Sequence, residues 1–281
     1  MAERGLDAIV VSGKMNGNPA LYYAANGARL ISGWVVKKRG EERVLLSSAI
    51  DREEAAASGL RVVTLDQYDY ETVVRQAPDR LAAEVELYRR LFADLGVSGK
   101  VGFYGMGDQG RAWTRVNALA GEIDGIEVGG ERDTTLIDVA RATKDAEEAA
   151  RIREVGRRTA AIMGQTVEFL QSHRAVDGVL VQADGTPLTI GRVHRQIGLF
   201  LAEQGLDVPE GVIFAIGRDA GVPHNKGTST DVLTLGKTII FDFGTREVGG
   251  GYYFDMTRTF CLGYAPPEIE KIYRDVRDCV E

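Results

Sequence analysis

The sequence predicts two domains of different class: an α/β domain with a mixed sheet over residues 1–138, then an α+β domain with an antiparallel sheet over residues 139–281. Three observations lead there. Short apolar strands alternate with helix-forming stretches through the first part, the pattern of an α/β layer architecture. Past Asp138 the order changes, with long helical periodicities first and strands afterwards. The length of 281 residues is also comfortable for two domains of ordinary size.

In the first domain, Asp7–Ser12 reads as an apolar strand that begins almost at once, and Asn16–Pro19 as a turn. Ile31–Val36 and Glu42–Ser47 read as paired strands around the turn at Arg39 to Glu41. Asp51–Ser58 is a short helix and Leu60–Leu65 another strand. From Pro78 to Leu95 the apolar residues Leu81, Val85, Tyr88, Leu91, Phe92 and Leu95 recur at helical spacing. Lys100–Tyr104 is a further strand, and Trp113–Ile123 a further helix.

The second domain opens with a helix from about Asp145 to Gln171. Asp145 and Glu148 fit a capping box, and Ile152, Val155, Ile162, Val167 and Leu170 form the inward stripe. Its run of Arg151, Arg153, Arg157 and Arg158 among Glu147, Glu148 and Glu154 reads as a solvated face with pairs at helical spacing. Thr189 is placed to cap a second helix that ends at Gly205. Three strands follow: Val212–Ile216, Thr238–Phe243 and Tyr252–Phe260. Pro266 and Pro267 open a last helix, striped by Ile269, Ile272, Tyr273, Val276 and Cys279.

Composition narrows the function classes. A net charge of −7 and a pI near 5.2 speak against partners gripped by bulk positive charge, so neither nucleic acid nor an anionic membrane is expected. Two cysteines make no disulfide framework and fit a reducing compartment. The N-terminus lacks a signal-peptide pattern, and no apolar run is long enough to span a bilayer, so a cytoplasmic location is expected. Glycines between Gly102 and Gly110 lack the spacing of a phosphate loop.

Chemistry concentrates in Asp242-Phe-Gly-Thr-Arg-Glu-Val-Gly-Gly-Gly-Tyr-Tyr-Phe-Asp255-Met-Thr-Arg-Thr. This reads as a β-hairpin with one aspartate on each strand and Gly249–Gly251 at the turn. Aspartate is depleted in strands, and a buried carboxylate without a partner is costly, so each needs a reason to be there. Two carboxylates brought together repel unless a cation lies between them, which points to a metal site. Asp255, Thr257 and Thr259 share one strand face and Arg258 the other. The plain alternative is an aspartate paired with Arg246 or Arg258. His224, in the loop Ile216–Gly227 after a strand, is a candidate proton or hydrogen-bond donor to a substrate carbonyl. His173 and His194 read as structural.

The stretches Val222-Pro-His224-Asn, Gly236–Gly244 and Gly251–Phe260 resemble the pita-bread metallopeptidases of the Xaa-Pro aminopeptidase and Xaa-Pro dipeptidase (prolidase) group. Ile137–Glu148 is similar to that family's link between domains, and the first part to its creatinase/prolidase-type N-terminal domain. The resemblance implies that Asp242 chelates one divalent ion and Asp255 bridges two, with Mn, Co or Zn as the metal. It also implies that the ions hold a water or hydroxide as nucleophile and polarise the scissile carbonyl. His224 would then help stabilise the tetrahedral intermediate. The substrate would be a peptide with proline second from its N-terminus, and the complete protein would be a homodimer.

Two departures stand beside this. The aspartates lie slightly further apart than is customary, by an even number of residues that keeps both on one face. The family draws a histidine and two glutamates from later in its domain. After Asp255 this chain has no histidine, and Glu268 and Glu270 fall on the last helix. The chain is therefore expected to be the first portion of such a peptidase, with two of the five ligands. A metal-free pita-bread binding module and a creatinase-like hydrolase are the alternatives.

Overall fold

The computed structural model describes residues 1–281. It forms two compact units, Met1–Lys144 with Gly249–Gly251, and Asp145–Val248 with Tyr252–Glu281.

The first unit contains β1 (Ala8–Lys14), α1 (Pro19–Ala24), β2 (Ser32–Lys38), β3 (Arg43–Ser47), α2 (Arg52–Ala57), β4 (Arg61–Thr64), α3 (Tyr70–Gln76), α4 (Arg80–Leu95), β5 (Gly99–Met106), α5 (Gln109–Glu122), β6 (Ile126–Gly129) and α6 (Leu136–Ala142). Its sheet runs β4-β3-β2-β1-β5-β6. The pairs β1–β2 and β2–β3 are antiparallel, whereas β1–β5, β3–β4 and β5–β6 are parallel, so the sheet is mixed as expected. Strand alternation splits the apolar residues between two faces. Ala8 and Val10 join Val36, Leu46, Tyr88, Leu91 and Leu119 on one side; Ile9 and Val11 join Leu21, Val35, Leu45, Ala55 and Ile137 on the other. Helices thus cover both faces.

Three elements here were not expected. The residues read as a turn at Asn16–Pro19 instead start α1: the Asn18 side chain accepts from the Leu21 amide, and Pro19 takes the first helical position. α3 and β6 are short, and the apolar pattern of each is too brief to carry a period. α5 also starts earlier than Trp113, because Asp108 caps it by accepting from the Arg111 amide.

The second unit contains α7 (Ala146–Gln171), β7 (Arg174–Val176), β8 (Val179–Val181), α8 (Ile190–Glu203), β9 (Leu206–Asp207), β10 (Ile213–Ile216), β11 (Thr238–Glu247), β12 (Tyr253–Cys261) and α9 (Pro267–Val280). The capping box at Asp145 and Glu148 forms on α7. Thr189 does occupy the N-cap of α8, but its side chain makes no capping bond. The charged face of α7 is only partly a solvated one. Glu154 pairs with Arg157 and Arg158, whereas Arg151 reaches Glu247 on β11 and Glu148 accepts from the Tyr252 hydroxyl.

The main sheet of this unit is antiparallel, in the order β10-β11-β12 with β9 on the end of β11. Along β11, Ile239, Phe241, Phe243 and Thr245 are buried and alternate with half-buried neighbours. The buried set packs on α7 and α8 through Val155, Ile162, Val193 and Ile197. Phe241 and Phe243 stack at 4.5 Å, with Phe214 edge-on to Phe241. Helices therefore cover one face of the sheet and leave the other, with Asp242, open.

Candidate active site

The open face is built by register. Asp242 pairs with Thr257 across β11–β12, and Asp255 pairs with Gly244. The aspartates are thus diagonal neighbours on one face, offset by a single two-residue step, with Cβ atoms roughly 7 Å apart for such a diagonal. A Cβ at Gly244 would meet Asp255 Oδ1 at 3.6 Å, an ordinary contact, so the carboxylate lies beside that position. The Thr257 hydroxyl donates to Asp242 Oδ1 at 2.6 Å and fixes that carboxylate's orientation.

Neither aspartate pairs with an arginine. Arg246 is held by Asp207 at 2.9 Å through both Nε and Nη2, and Arg258 donates to the Thr257 carbonyl. The ion-pair alternative for Asp242 and Asp255 is therefore set aside. One premise needs correction as well: Asp242 is half-buried and Asp255 exposed, because both lie on the uncovered face of the sheet. The expected burial cost therefore falls away, and what is left is two carboxylates near each other on one open face.

His224 joins them in one cleft of about 600 Å³, lined by Glu210, Ile213, Lys226, Asp242, Tyr253 and Asp255 among others. Its loop is locally determined. Pro223 follows Val222, the Asn225 amide donates to the Val222 carbonyl, and His224 sits at φ 62°. That is the left-handed position of a type II-like turn, normally given to glycine or asparagine. A histidine held there costs on the order of 1 kcal/mol, and such strain clusters at functional positions. The loop then closes on the sheet: the Gly227 amide donates to Asn225 Oδ1, and a Cβ at Gly227 would come within 2.5 Å of the Phe214 carbonyl.

The other histidines stay out of the cleft. His173 Nδ1 lies 2.7 Å from the Phe169 carbonyl at the end of α7. His194 sits edge-on to Phe214, and burial pushes its pKa down. Sequence reasoning missed Lys226, Glu210 and Tyr253. The signal for Lys226 was its place two residues after His224, on the same constrained loop.

The donor set fits a metal in kind and not in number. Carboxylate oxygens suit hard or borderline divalent ions. Yet nowhere do three His, Cys, Asp or Glu side chains gather as a metal-holding group. Asp242 and Asp255 are thus two carboxylates of a suitable kind with no third such donor gathered beside them.

A mixed α/β unit followed by an antiparallel sheet with a carboxylate pair on its open face defines a pita-bread type of protein. Residues 138–281 match the model of metallopeptidase family M24, and the chain belongs to that family. Solved structures agree in fold. An X-Pro aminopeptidase from Thermotoga maritima superposes with a TM-score of 0.72 at 17% identity, over 99% of this chain and 68% of its own. A prolidase from Pyrococcus furiosus gives 0.65 at 17%, over 99% and 68%. An Xaa-Pro dipeptidase from Bacillus anthracis gives 0.66 at 18%, over 97% and 65%. The chain thus spans about two-thirds of the length of these structures. No curated protein matches it by sequence.

Proposed function

We propose that the protein serves a metal-dependent peptidase that cleaves the bond before a proline second from a peptide's N-terminus. The observation that carries this is the diagonal pair Asp242 and Asp255, free of arginine partners, in one cleft with His224. Asp242 and Asp255 would hold divalent ions, which when bound polarise a carbonyl and activate a nucleophile. Two carboxylates are only part of such a donor set, so activity requires donors in addition to them. The chain's own groups do the rest. Thr257 holds the Asp242 carboxylate, and the strained loop presents His224 over the cleft as a donor to the carbonyl oxygen of the scissile bond. The open sheet face admits an extended peptide, with Ile213 beside Asp242 as an apolar wall.

The test uses protein expressed from the full reading frame that carries these residues, incubated with Mn²⁺ and either an Ala-Pro or an Ala-Ala peptide. Release of alanine from the Ala-Pro peptide alone, lost in Asp255→Ala, is expected. Equal cleavage of both peptides, or activity that survives Asp255→Ala, would overturn the reading. The lack of a three-donor group favours one second reading, a metal-free peptide-binding module. Mn²⁺-independent binding of the peptides without cleavage would select it.

A further inference from the structure

We propose that Asn16 is a site of spontaneous covalent modification, where the side-chain amide is lost to give aspartate and isoaspartate. The chain's second Asn-Gly pair, Asn26-Gly27, is protected by the fold. This goes beyond the peptidase reading and does not depend on it.

The chemistry sets the requirements. The backbone nitrogen of the following residue gives up its proton and attacks the asparagine Cγ. An N–Cγ bond forms, the Cγ–Nδ2 bond breaks, and the nitrogen released takes up a proton and leaves as ammonia. Water then adds to either carbonyl of the five-membered imide, and the ring opens to aspartate or isoaspartate. The attacking nitrogen must be free of an acceptor, the side chain must be free to rotate, and the next residue must not crowd the approach. The chain has five asparagines, and only Asn16 and Asn26 precede glycine. Asn18 precedes Pro19, which has no N–H to give up.

Both Asn-Gly asparagines are exposed, so exposure does not separate them. Hydrogen bonding does. Asn26 Oδ1 accepts from Arg43 Nη2 at 2.7 Å, and its Nδ2 donates to the Ser58 carbonyl at 3.0 Å. The Gly27 amide donates to the Tyr22 carbonyl at 2.8 Å. Attack at Asn26 requires all three bonds to open. Asn16 instead lies in the turn between β1 and α1, closed by the Asn18 amide on the Met15 carbonyl at 3.1 Å. The Asn16 side chain and the Gly17 amide make no hydrogen bond. Gly17 takes φ 73° as the third residue of that turn, and a Cβ there would meet nothing within 4 Å.

Isoaspartate routes the backbone through the side-chain carbonyl and so adds a carbon to the turn. The ends of the turn cannot follow freely. Met15 and Asn18 are buried, the Met15 amide donates to the Ile31 carbonyl, and Asn18 both caps α1 and donates to the Ser12 carbonyl. The modification therefore loads the cap of α1.

The test holds the protein at mildly alkaline pH and physiological temperature, folded or in urea. Samples taken over days are digested at acidic pH and mapped by mass spectrometry, with isoaspartate detected by enzymatic methylation. In the folded protein Asn16 should convert at least about tenfold faster than Asn26, the ratio expected when several hydrogen bonds must open before attack. In urea the two rates should agree to within about twofold, because only the fold tells the pairs apart. Equal rates in the folded protein, a ratio that persists in urea, or conversion at Asn16 no faster than at Asn117 or Asn225 overturns the proposal. The isoaspartate fraction, separated by charge, should melt below the unmodified protein; an equal midpoint overturns the coupling to α1.

Discussion

Alanine in place of Gly156 sets two effects of opposite sign against each other. Gly156 is buried in the interior of α7, where alanine is favoured by about 1 kcal/mol in an unconstrained helix. Its missing side chain makes room for β12. A Cβ there would come within 2.6, 2.7 and 3.1 Å of three ring atoms of Phe254. Contacts this short force a ring shift, and overpacking of this kind costs about 1–3 kcal/mol. Phe254 is half-buried and can yield in part, so the lower half of that range applies. Gly156→Ala should therefore destabilise the protein by up to ~1 kcal/mol net. Urea denaturation reads this as a lower midpoint at unchanged slope. A variant more stable than wild type, as helix propensity alone would give, refutes the close packing of α7 on β12.

Other outcomes follow from named contacts. Thr257→Val removes the donor that orients Asp242 and should weaken Mn²⁺ binding about tenfold, measured by competition with a chelating dye, with little change in thermal midpoint. Arg246→Met leaves Asp207 without its two-pronged partner and should cost about 1–2 kcal/mol in urea, most of it recovered when Asp207→Asn is added. Burial lowers the His194 pKa below its usual value, so the unfolded chain binds the proton more readily. Stability from the neutral ring is full above about pH 6.5 and falls as pH drops from there towards the folded pKa; His194→Phe should flatten that part of a pH–stability curve.

The second unit was more legible than the first, for physical reasons. α7 declares itself through a capping box and an apolar stripe sustained over many turns. β11 shows strict alternation because one face is covered by helices. The aspartate pair was visible because a charged residue in such a strand contradicts local propensity. What the sequence withheld was tertiary. Burial of Asp242 depends on whether anything covers the open face. Whether Arg246 meets Asp242 or Asp207 is decided by the register of β9 on β11, which no local pattern encodes. Arg151 left its helix face for Glu247 for the same reason. Lys226 entered the cleft only because the Val222–Gly227 loop folds back against β10.

The central claim is that Asp242 and Asp255 together form a cation site. Paramagnetic Mn²⁺, titrated into isotope-labelled protein, tests it even where affinity is modest. The account predicts selective broadening of amide signals at Asp242–Gly244 and Asp255–Thr257 at the lowest metal concentrations, abolished in Asp242→Asn and Asp255→Asn. Broadening spread over the acidic surface without preference for these strands, or unchanged in both variants, would contradict it.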